Sequence, residues 1–277
     1  MSRRRLHRTR VAVILAAGRG TRMRSEVPKV LHSAGGRPLL AWVVAAAREA
    51  GCKPIFVVVP PDFEDFRTAL TAEPAGLPGD VVEGLRFVVQ ASRKGTGHAL
   101  LQAGEAVREV LAGDPEEATL LVLSGDTPLL TADTLERLAT VAEEGESPGE
   151  PPWGALAVAT LEDPGSLGRV LTREDGSLKR IVEASDASEE ELGVRRINAG
   201  IYALRAPRIF QELARLDSDN AQGEIYLTDA PGAAAARGER VVLLDLEDPT
   251  EALGVNTRAE LTRVHRILMD RRKAVGV

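Results

Sequence analysis

The 277 residues are 44% hydrophobic, 27% charged and only 3% aromatic, the balance of a globular chain with an aliphatic core rather than a disordered one. A single cysteine, Cys52, excludes an internal disulfide and any cysteine-rich zinc site, and 41 acidic against 35 basic residues argue against a general nucleic-acid binder. No apolar run approaches the ~20 residues of a membrane span and the N-terminus has no apolar signal core, so the sequence predicts a soluble, cytoplasmic protein with no membrane partner.

In chain order, Arg3, Arg4, Arg5, Arg8 and Arg10 crowd the start, and residues 1–10 read as a basic, disordered arm. A phosphate-binding arm is the sharper alternative, with nothing else to support it. Residues 11–16, 55–59, 86–90 and 119–124 are short β-branched runs, near-continuously apolar as buried parallel strands are. Between the first two, Pro38 opens the apolar stretch 39–47 and Gly51 follows it, which places Pro at N1 and Gly at C′ of a helix. Residues 98–112 and 133–144 predict further helices, the second with Thr131 or Asp133 as its cap. Strand–helix alternation of this kind implies an α/β, doubly wound sheet whose ligands bind beyond the carboxyl ends of the strands.

The second half is less regular. Residues 145–152 form a turn-rich break, read as a surface loop rather than a domain boundary. Strands are predicted at 155–160, 178–183, 197–204 and 241–246, and the acidic run 183–191 reads as a solvated loop or helix start. From Ala259 the chain reads as one amphipathic helix, with Leu261, Val264 and Leu268 on one stripe. No internal repeat of any period is present.

The loop Leu15-Ala16-Ala17-Gly18-Arg19-Gly20-Thr21-Arg22-Met23 follows the first strand directly. A dinucleotide fingerprint requires Gly where Met23 stands, and a Walker A loop would end in Gly-Lys-Ser/Thr. What remains is a small-residue nest whose backbone N–H groups can approach phosphates, with Arg22 and Lys29 nearby. Two cations beside such a nest suit a triphosphate. From the loop alone, a glycine-rich turn without a ligand stays open.

That loop, with Pro28-Lys29-Val30-Leu31, resembles the signature of sugar-nucleotide pyrophosphorylases. Four more motifs fall in the order seen in one branch of them: Gln90 with Gly95-Thr96-Gly97-His98-Ala99, Gly125-Asp126-Thr127-Pro128-Leu129, Asn220 through Asp229, and Gly254-Val255-Asn256-Thr257-Arg258. Together they are similar to the uridylyltransferase domain of bacterial bifunctional N-acetylglucosamine-1-phosphate uridylyltransferase / glucosamine-1-phosphate acetyltransferases. The resemblance runs from Val11 to Arg258. It implies a Rossmann-like doubly wound mixed sheet of nucleotide-diphospho-sugar transferase type. With the basic arm over 1–10, the division is then a uridylyltransferase domain over 11–258 and a linker helix over 259–277.

The implied reaction joins UTP and N-acetylglucosamine 1-phosphate into UDP-N-acetylglucosamine and pyrophosphate, for cell-wall (peptidoglycan) precursor synthesis. The sugar phosphate is already ionised at neutral pH and needs no general base, so positioning and charge neutralisation suffice. By the same resemblance Asp126 and Asn256 would hold Mg²⁺, and Arg22 and Lys29 would act on the phosphates as catalytic residues. Lysine is rare in this chain (Lys29, Lys53, Lys94, Lys179, Lys273), yet the motif position carries one. The nucleotide would meet Leu15, Ala16, Ala17, Gly18, Gly20, Gln90, Gly95, Thr96 and Gly125. The sugar would meet Gly168, Glu183, Asn198, and Tyr226 or Thr228.

The Gln90 amide offers both a donor and an acceptor to uracil, but an amide can flip, so alone it would not separate uracil from cytosine. Ser166-Leu167 replaces the usual Gly-Tyr before Gly168, and Ser185 replaces the usual lysine after Glu183; both departures touch sugar recognition only. His98 reads as a helix-start residue, His32 as packing near the phosphate loop, and Cys52 as a helix-end residue without a partner. The expected partners are small-molecule substrates and no nucleic acid. Without a β-helix of hexapeptide repeats, neither acetyl transfer nor an obligatory oligomer is expected of this chain. The competing readings are a nucleotidyltransferase for another sugar 1-phosphate or nucleotide, and a non-catalytic sugar-nucleotide-binding regulator.

Overall fold

The computed structural model describes residues 9–18, 20–62, 64–72, 76–111, 118–144 and 151–274. Arg3, Arg4, Arg5 and Arg8 of the basic arm, Arg19, Ala112, most of the 145–152 break and residues 275–277 of the predicted linker helix lie outside them. Arg10 does not belong to an arm. It opens β1 (Arg10–Leu15) and makes a two-pronged ion pair with Glu143, at 2.9 and 3.0 Å.

The predicted strands are found, each within a residue or so: β1, β4 (Ile55–Val59), β5 (Leu85–Val89), β6 (Thr119–Ser124), β7 (Gly154–Thr160), β9 (Leu178–Val182), β10 (Arg196–Arg205) and β11 (Val241–Asp245). Three more were not predicted: the two-residue pair β2 (Ser33–Ala34) and β3 (Arg37–Pro38), and β8 (Arg169–Thr172). Among the described residues the main sheet runs β11-β7-β10-β6-β1-β4-β5, with β8 and β9 branching from β10. β5, β4, β1 and β6 are mutually parallel, and β10 is antiparallel to both β6 and β7. The result is a mixed, doubly wound sheet.

β1 shows why its sequence is apolar throughout. Ala12 and Ile14 face one layer of helices, Val11 and Val13 the other, and all four are fully buried. The first layer contains α1 (Leu39–Glu49), α2 (Glu64–Thr71), α3 (Gly79–Glu83) and α6 (Ala132–Glu144). The second contains α4 (Thr96–Gln102), α5 (Gly104–Val110), α8 (Ala206–Leu213) and α9 (Asp229–Ala236). A short α7 (Glu189–Leu192) lies in the acidic run, capped by Ser188 in a capping box with Glu191. α10 (Arg258–Ala274) closes a third cluster by seating Val264 and Leu268 against Met23, Ala34, Leu39 and Val255. No helix among the described residues is long and apolar enough to cross a membrane.

Two helix expectations change. The 98–112 stretch is two helices that break at Ala103–Gly104, where Phe210 packs so close that a Cβ on Gly104 would sit 3.1 Å from its ring. Pro38 is the N-cap of α1 rather than its first turn, because it also pairs in the β2–β3 hairpin. Gly51 keeps its predicted place past the helix end, at φ +81°.

Thr131, of the two cap candidates for α6, accepts the Thr134 N–H at 3.3 Å. The buried carboxylate of Glu251 then takes the Thr131 N–H (2.9 Å), the Thr131 hydroxyl (3.1 Å) and the Thr134 hydroxyl (2.9 Å). Removing that acceptor strands the Thr131 N–H and the Thr134 hydroxyl at the start of α6, each worth about 1 kcal/mol, while the Thr131 hydroxyl keeps Thr134 Oγ1 as its acceptor at 3.2 Å. Glu251→Ala is expected to lose about 2–3 kcal/mol in urea unfolding; a change under ~0.5 kcal/mol would show the contacts to be dispensable.

Candidate active site

The carboxyl ends of β1 and β6 meet at Leu15 and Ser124, and the Gly125 N–H donates to the Leu15 carbonyl at 2.9 Å. A Cβ on Gly125 would press on that oxygen at 3.1 Å and on Val30 at 3.3 Å, so glycine lets the Asp126 turn lie against the glycine-rich loop. Ala16 and Ala17 are buried at the foot of the loop, and the Ala16 N–H donates to Val58 on β4. Gly18 is different. A Cβ there would meet none of the described residues within 4 Å, so the space above it is open to them. Gly20, at φ +60°, packs on the stem of Lys29, whose own Cβ lies 2.5 Å from where a Gly20 Cβ would be.

Lys29 lies in a single 3-10 turn after Pro28, and its ammonium pairs with the Asp126 carboxylate and donates to Asn256 Oδ1 at 2.8 Å. Asn256 is held from two sides. The neighbouring Val255 N–H donates to the Asp126 carbonyl at 3.0 Å, and the Asn256 and Thr257 N–H groups both donate to Glu260 at 2.7 Å. Glu260 N–H returns a bond to the Thr257 hydroxyl, completing a capping box at the start of α10. The sequence reading missed Glu260, although the Thr-x-x-Glu spacing was the signal for it. Arg258, quoted only as part of a motif, donates to the Met23 carbonyl at 3.3 Å and so ties α10 to the glycine-rich loop. Next to it Arg24 holds φ +49°, the only described residue other than glycine with positive φ.

Asp126 and Asn256 thus turn hard oxygens toward one cationic group. Among the described residues no three His, Cys, Asp or Glu side chains gather as an all-protein metal cage. One carboxylate plus one amide oxygen suits Mg²⁺, which keeps waters and takes phosphate oxygens for the remainder of its shell. Arg22 is not brought into this cluster. It is exposed and bonds to none of the described residues.

Gln90 stands just past β5, its N–H on the Val59 carbonyl at 2.9 Å and its side chain buried. Its Nε2 donates to the Gly95 carbonyl at 3.2 Å and lies 3.0 Å from His98 Nδ1. Arg93 donates to the Ala17 carbonyl at 3.1 Å, which fastens the Gln90 loop to the glycine-rich loop. The Thr96 hydroxyl accepts the Leu227 N–H at 3.1 Å, so this side chain joins two motifs to one another.

Of the residues expected to meet a sugar, the structure brings together Gly168, Glu183 and Thr228. The Thr228 hydroxyl donates to Glu183 Oε1 at 2.9 Å, and Glu183 Oε2 lies 3.5 Å from a Gly168 Cβ position. Burial raises the Glu183 pKa; the Thr228 bond opposes it and the nearby Asp229, Asp186 and Glu224 add to it. Asn198 is more committed than expected: its Nδ2 donates to the Tyr202 hydroxyl at 2.6 Å and its Oδ1 accepts the Gly200 N–H. The Tyr226 hydroxyl turns to Asp186 at 3.3 Å. Asp186, which sequence reasoning did not single out, also accepts from Ala221 N–H and from the Ser185 hydroxyl, while Gln222 donates to that hydroxyl. Ser185 therefore anchors a small network.

A family model described as the MobA-like NTP transferase domain matches residues 12–230. The bifunctional protein GlmU of Syntrophotalea carbinolica is 43% identical over 267 residues, covering 96% of this chain and 52% of that protein. The GlmU proteins of Pelobacter propionicus and of Anaeromyxobacter sp. (strain K) are each 42% identical over 94% of the chain, covering 52% and 49% of their own lengths. The chain spans about half the length of the curated relatives it matches. Among solved structures, a UDP-glucose pyrophosphorylase complexed with UDP-glucose aligns with TM-score 0.71 at 20% identity, over 95% of this chain and all of that one. That likeness supports the doubly wound fold.

The open space above Gly18 and the crowding at Gly20 predict opposite outcomes for one extra methyl. Gly18→Ala is expected to leave thermal unfolding unchanged while weakening nucleotide binding. Gly20→Ala is expected to lower both, through φ and through the Lys29 stem. Equal effects of the two on stability would contradict this placement. Glu183 gives a pH-dependent case. Its folded pKa is raised, so the stability it allows is full below the unfolded value near 4.5 and is lost as pH rises through the folded value. Glu183→Gln, neutral throughout, is therefore expected to gain on the wild type in urea midpoint between pH 4 and pH 7. A difference constant with pH would refute it.

Proposed function

The chain belongs to the MobA-like NTP transferase domain family, and from that membership we propose that it transfers UMP from UTP to N-acetylglucosamine 1-phosphate. A sugar-phosphate oxygen attacks the α-phosphorus, the new O–P bond forms, and the bond to pyrophosphate breaks. The observation that carries this reading is the shared ammonium: Lys29 stands between Asp126 and Asn256 at the carboxyl edge of the sheet. The resemblance of the ordered motifs to the GlmU proteins supports the choice of UTP and of the amino sugar.

The residues divide the work by charge. The loop from Ala16 to Gly20 offers backbone N–H groups to the triphosphate. Lys29 meets negative charge as it builds at the α-phosphorus, and the guanidinium of Arg22, which bonds to none of the described residues, is available to the leaving pyrophosphate. Asp126 and Asn256 would hold Mg²⁺, which when bound neutralises triphosphate charge. Gln90, Gly95 and Thr96 line the base, and Leu15 and Gly125 form the floor beneath the nucleotide. Glu183, Thr228 and Gly168 accept the sugar, with Asn198 and Tyr226 shaping its wall. The attacking phosphate is already an anion, so the lack of a general base near it costs nothing.

The test is pyrophosphate release from each nucleoside triphosphate paired with N-acetylglucosamine 1-phosphate or glucose 1-phosphate. UTP with the acetylated sugar is expected to be best, favoured over glucose 1-phosphate by about 10- to 100-fold in kcat/KM. Asp126→Ala is expected to abolish turnover with the fold intact, and Lys29→Ala to lower kcat rather than KM for the sugar phosphate. A preference for glucose 1-phosphate or another triphosphate would move the chain to a related nucleotidyltransferase. An Asp126→Ala protein with ordinary activity would remove the assigned roles.

A further inference from the structure

The Asp126 and Asn256 oxygens already hold a cation, and it belongs to the chain itself. An ammonium only donates, so the atoms that face Lys29 Nζ must be acceptors. They are the Asp126 carboxylate and Asn256 Oδ1, the latter at 2.8 Å. Neither the Lys29 ammonium nor the Asn256 amide has another partner among the described residues. The Lys29 and Asp126 side chains are mostly buried, so charges there are little screened. On the proposed reading that Asp126 and Asn256 are the oxygens for Mg²⁺, ammonium and metal compete for one place. An ion on Asn256 Oδ1 at the usual ~2.1 Å for magnesium would lie within about 5 Å of Nζ. A divalent and a monovalent cation that close repel strongly in so sheltered a site. Asp126 sets a single negative charge against them, and the nearby Glu260 carboxylate is taken up by the Asn256 and Thr257 N–H groups and the Thr257 hydroxyl.

The end of the lysine can leave, while its stem stays. Cβ, Cγ and Cδ lie 2.5, 3.1 and 3.2 Å from where a Gly20 Cβ would stand, so the stem is seated on Gly20 and the part that turns is Cε and Nζ. Gly20 belongs to the loop whose N–H groups suit a triphosphate. Phosphate oxygens arriving on that loop give the ammonium charged acceptors, and a charge-assisted bond to them is stronger than one to the neutral Asn256 amide.

We propose that the Lys29 ammonium is the resident cation of the Asp126–Asn256 pair: it keeps a bare divalent ion out and yields its place when nucleotide phosphates take it over. Metal and nucleotide then enter together rather than metal first. The group that satisfies the two oxygens before binding is the one that meets phosphate charge afterwards, so removing it moves the two affinities in opposite directions. Plain damage to the site would lower both.

Manganese is the probe, because it takes the same hard oxygen ligands and its free ion is read by electron paramagnetic resonance. Without nucleotide, Lys29→Met is expected to bind Mn²⁺ at least about tenfold more tightly than the wild type. By calorimetry the same variant is expected to bind the magnesium complex of UTP about tenfold more weakly. Methionine keeps a stem against Gly20, and Lys29→Ala serves if Lys29→Met unfolds. Asp126→Asn added to Lys29→Met is expected to abolish the gain in Mn²⁺ affinity. Arg22→Met removes an exposed cation that bonds to none of the described residues, and is expected to leave the Mn²⁺ Kd within about twofold. An equal gain in Arg22→Met would show a general field rather than a contact and overturn the proposal. So would a folded Lys29→Met or Lys29→Ala protein that binds Mn²⁺ no better than wild type, or a gain that survives Asp126→Asn. An unchanged affinity for the magnesium complex of UTP would overturn it equally. The two opposite shifts, in a protein that releases no pyrophosphate from UTP and N-acetylglucosamine 1-phosphate, would uphold the exchange and remove the proposed reaction.

Discussion

One ammonium group, Lys29 Nζ, is shared by an aspartate 97 positions further along the chain and an asparagine 227 positions further along. Nothing local can bring those three segments together. β1 and β6 must be neighbours so that Asp126 emerges beside the glycine-rich loop, and α10 must dock on its apolar stripe so that Asn256 arrives from the far end of the chain. The Lys29 and Asp126 side chains are 13% and 15% exposed, so their attraction is little screened, but desolvation offsets much of it. The contact is therefore weak as a source of stability and strong as a specification of geometry. Gly20 follows from the same constraint, since any side chain there would displace the lysine stem.

Much of this arrangement was legible before any coordinates. A strand buried on both faces must be apolar at every position, and that is how β1, β4 and β6 announce themselves. The motif order located Asp126, Asn256 and Lys29, whose meeting the structure then displays. Features that depend on contacts far apart in sequence were not legible. At the break between α4 and α5, Gly104 leaves room for the ring of Phe210, about a hundred positions away. β8 was missed because RVLT is four residues long and too short for a period to show.

Asn198 shows a further limit. In a regular strand the side chains of residues 198 and 202 would be about 13 Å apart and could not bond. β10 carries an irregularity between them, with Gly200 at φ +71°, and the shortened path brings the amide to the buried Tyr202 hydroxyl. A bulge leaves little trace in hydrophobic periodicity beyond its glycine. The network around Asp186 is hidden for a related reason. Its members come from the 185–186 loop and from residues 221, 222 and 226, joined by polar bonds that follow no repeat.

The Gln90 side and the Glu183 side of the candidate site are built by different means, yet they share a backbone. Gly97 N–H donates to the Ile225 carbonyl, Ile225 N–H to the Lys94 carbonyl, and Leu227 N–H to the Thr96 hydroxyl. The loop that carries the Gln90–His98 contact is thereby laced to the segment that ends in Tyr226 and Thr228. Gly95 and Gly97 permit this approach, since a Cβ on either would collide with Ile225. Lacing of this kind leaves the loop little freedom to rearrange when a ligand enters. The donors and acceptors on both sides are held before substrate arrives, which is the condition under which fixed dipoles contribute most to a charged transition state.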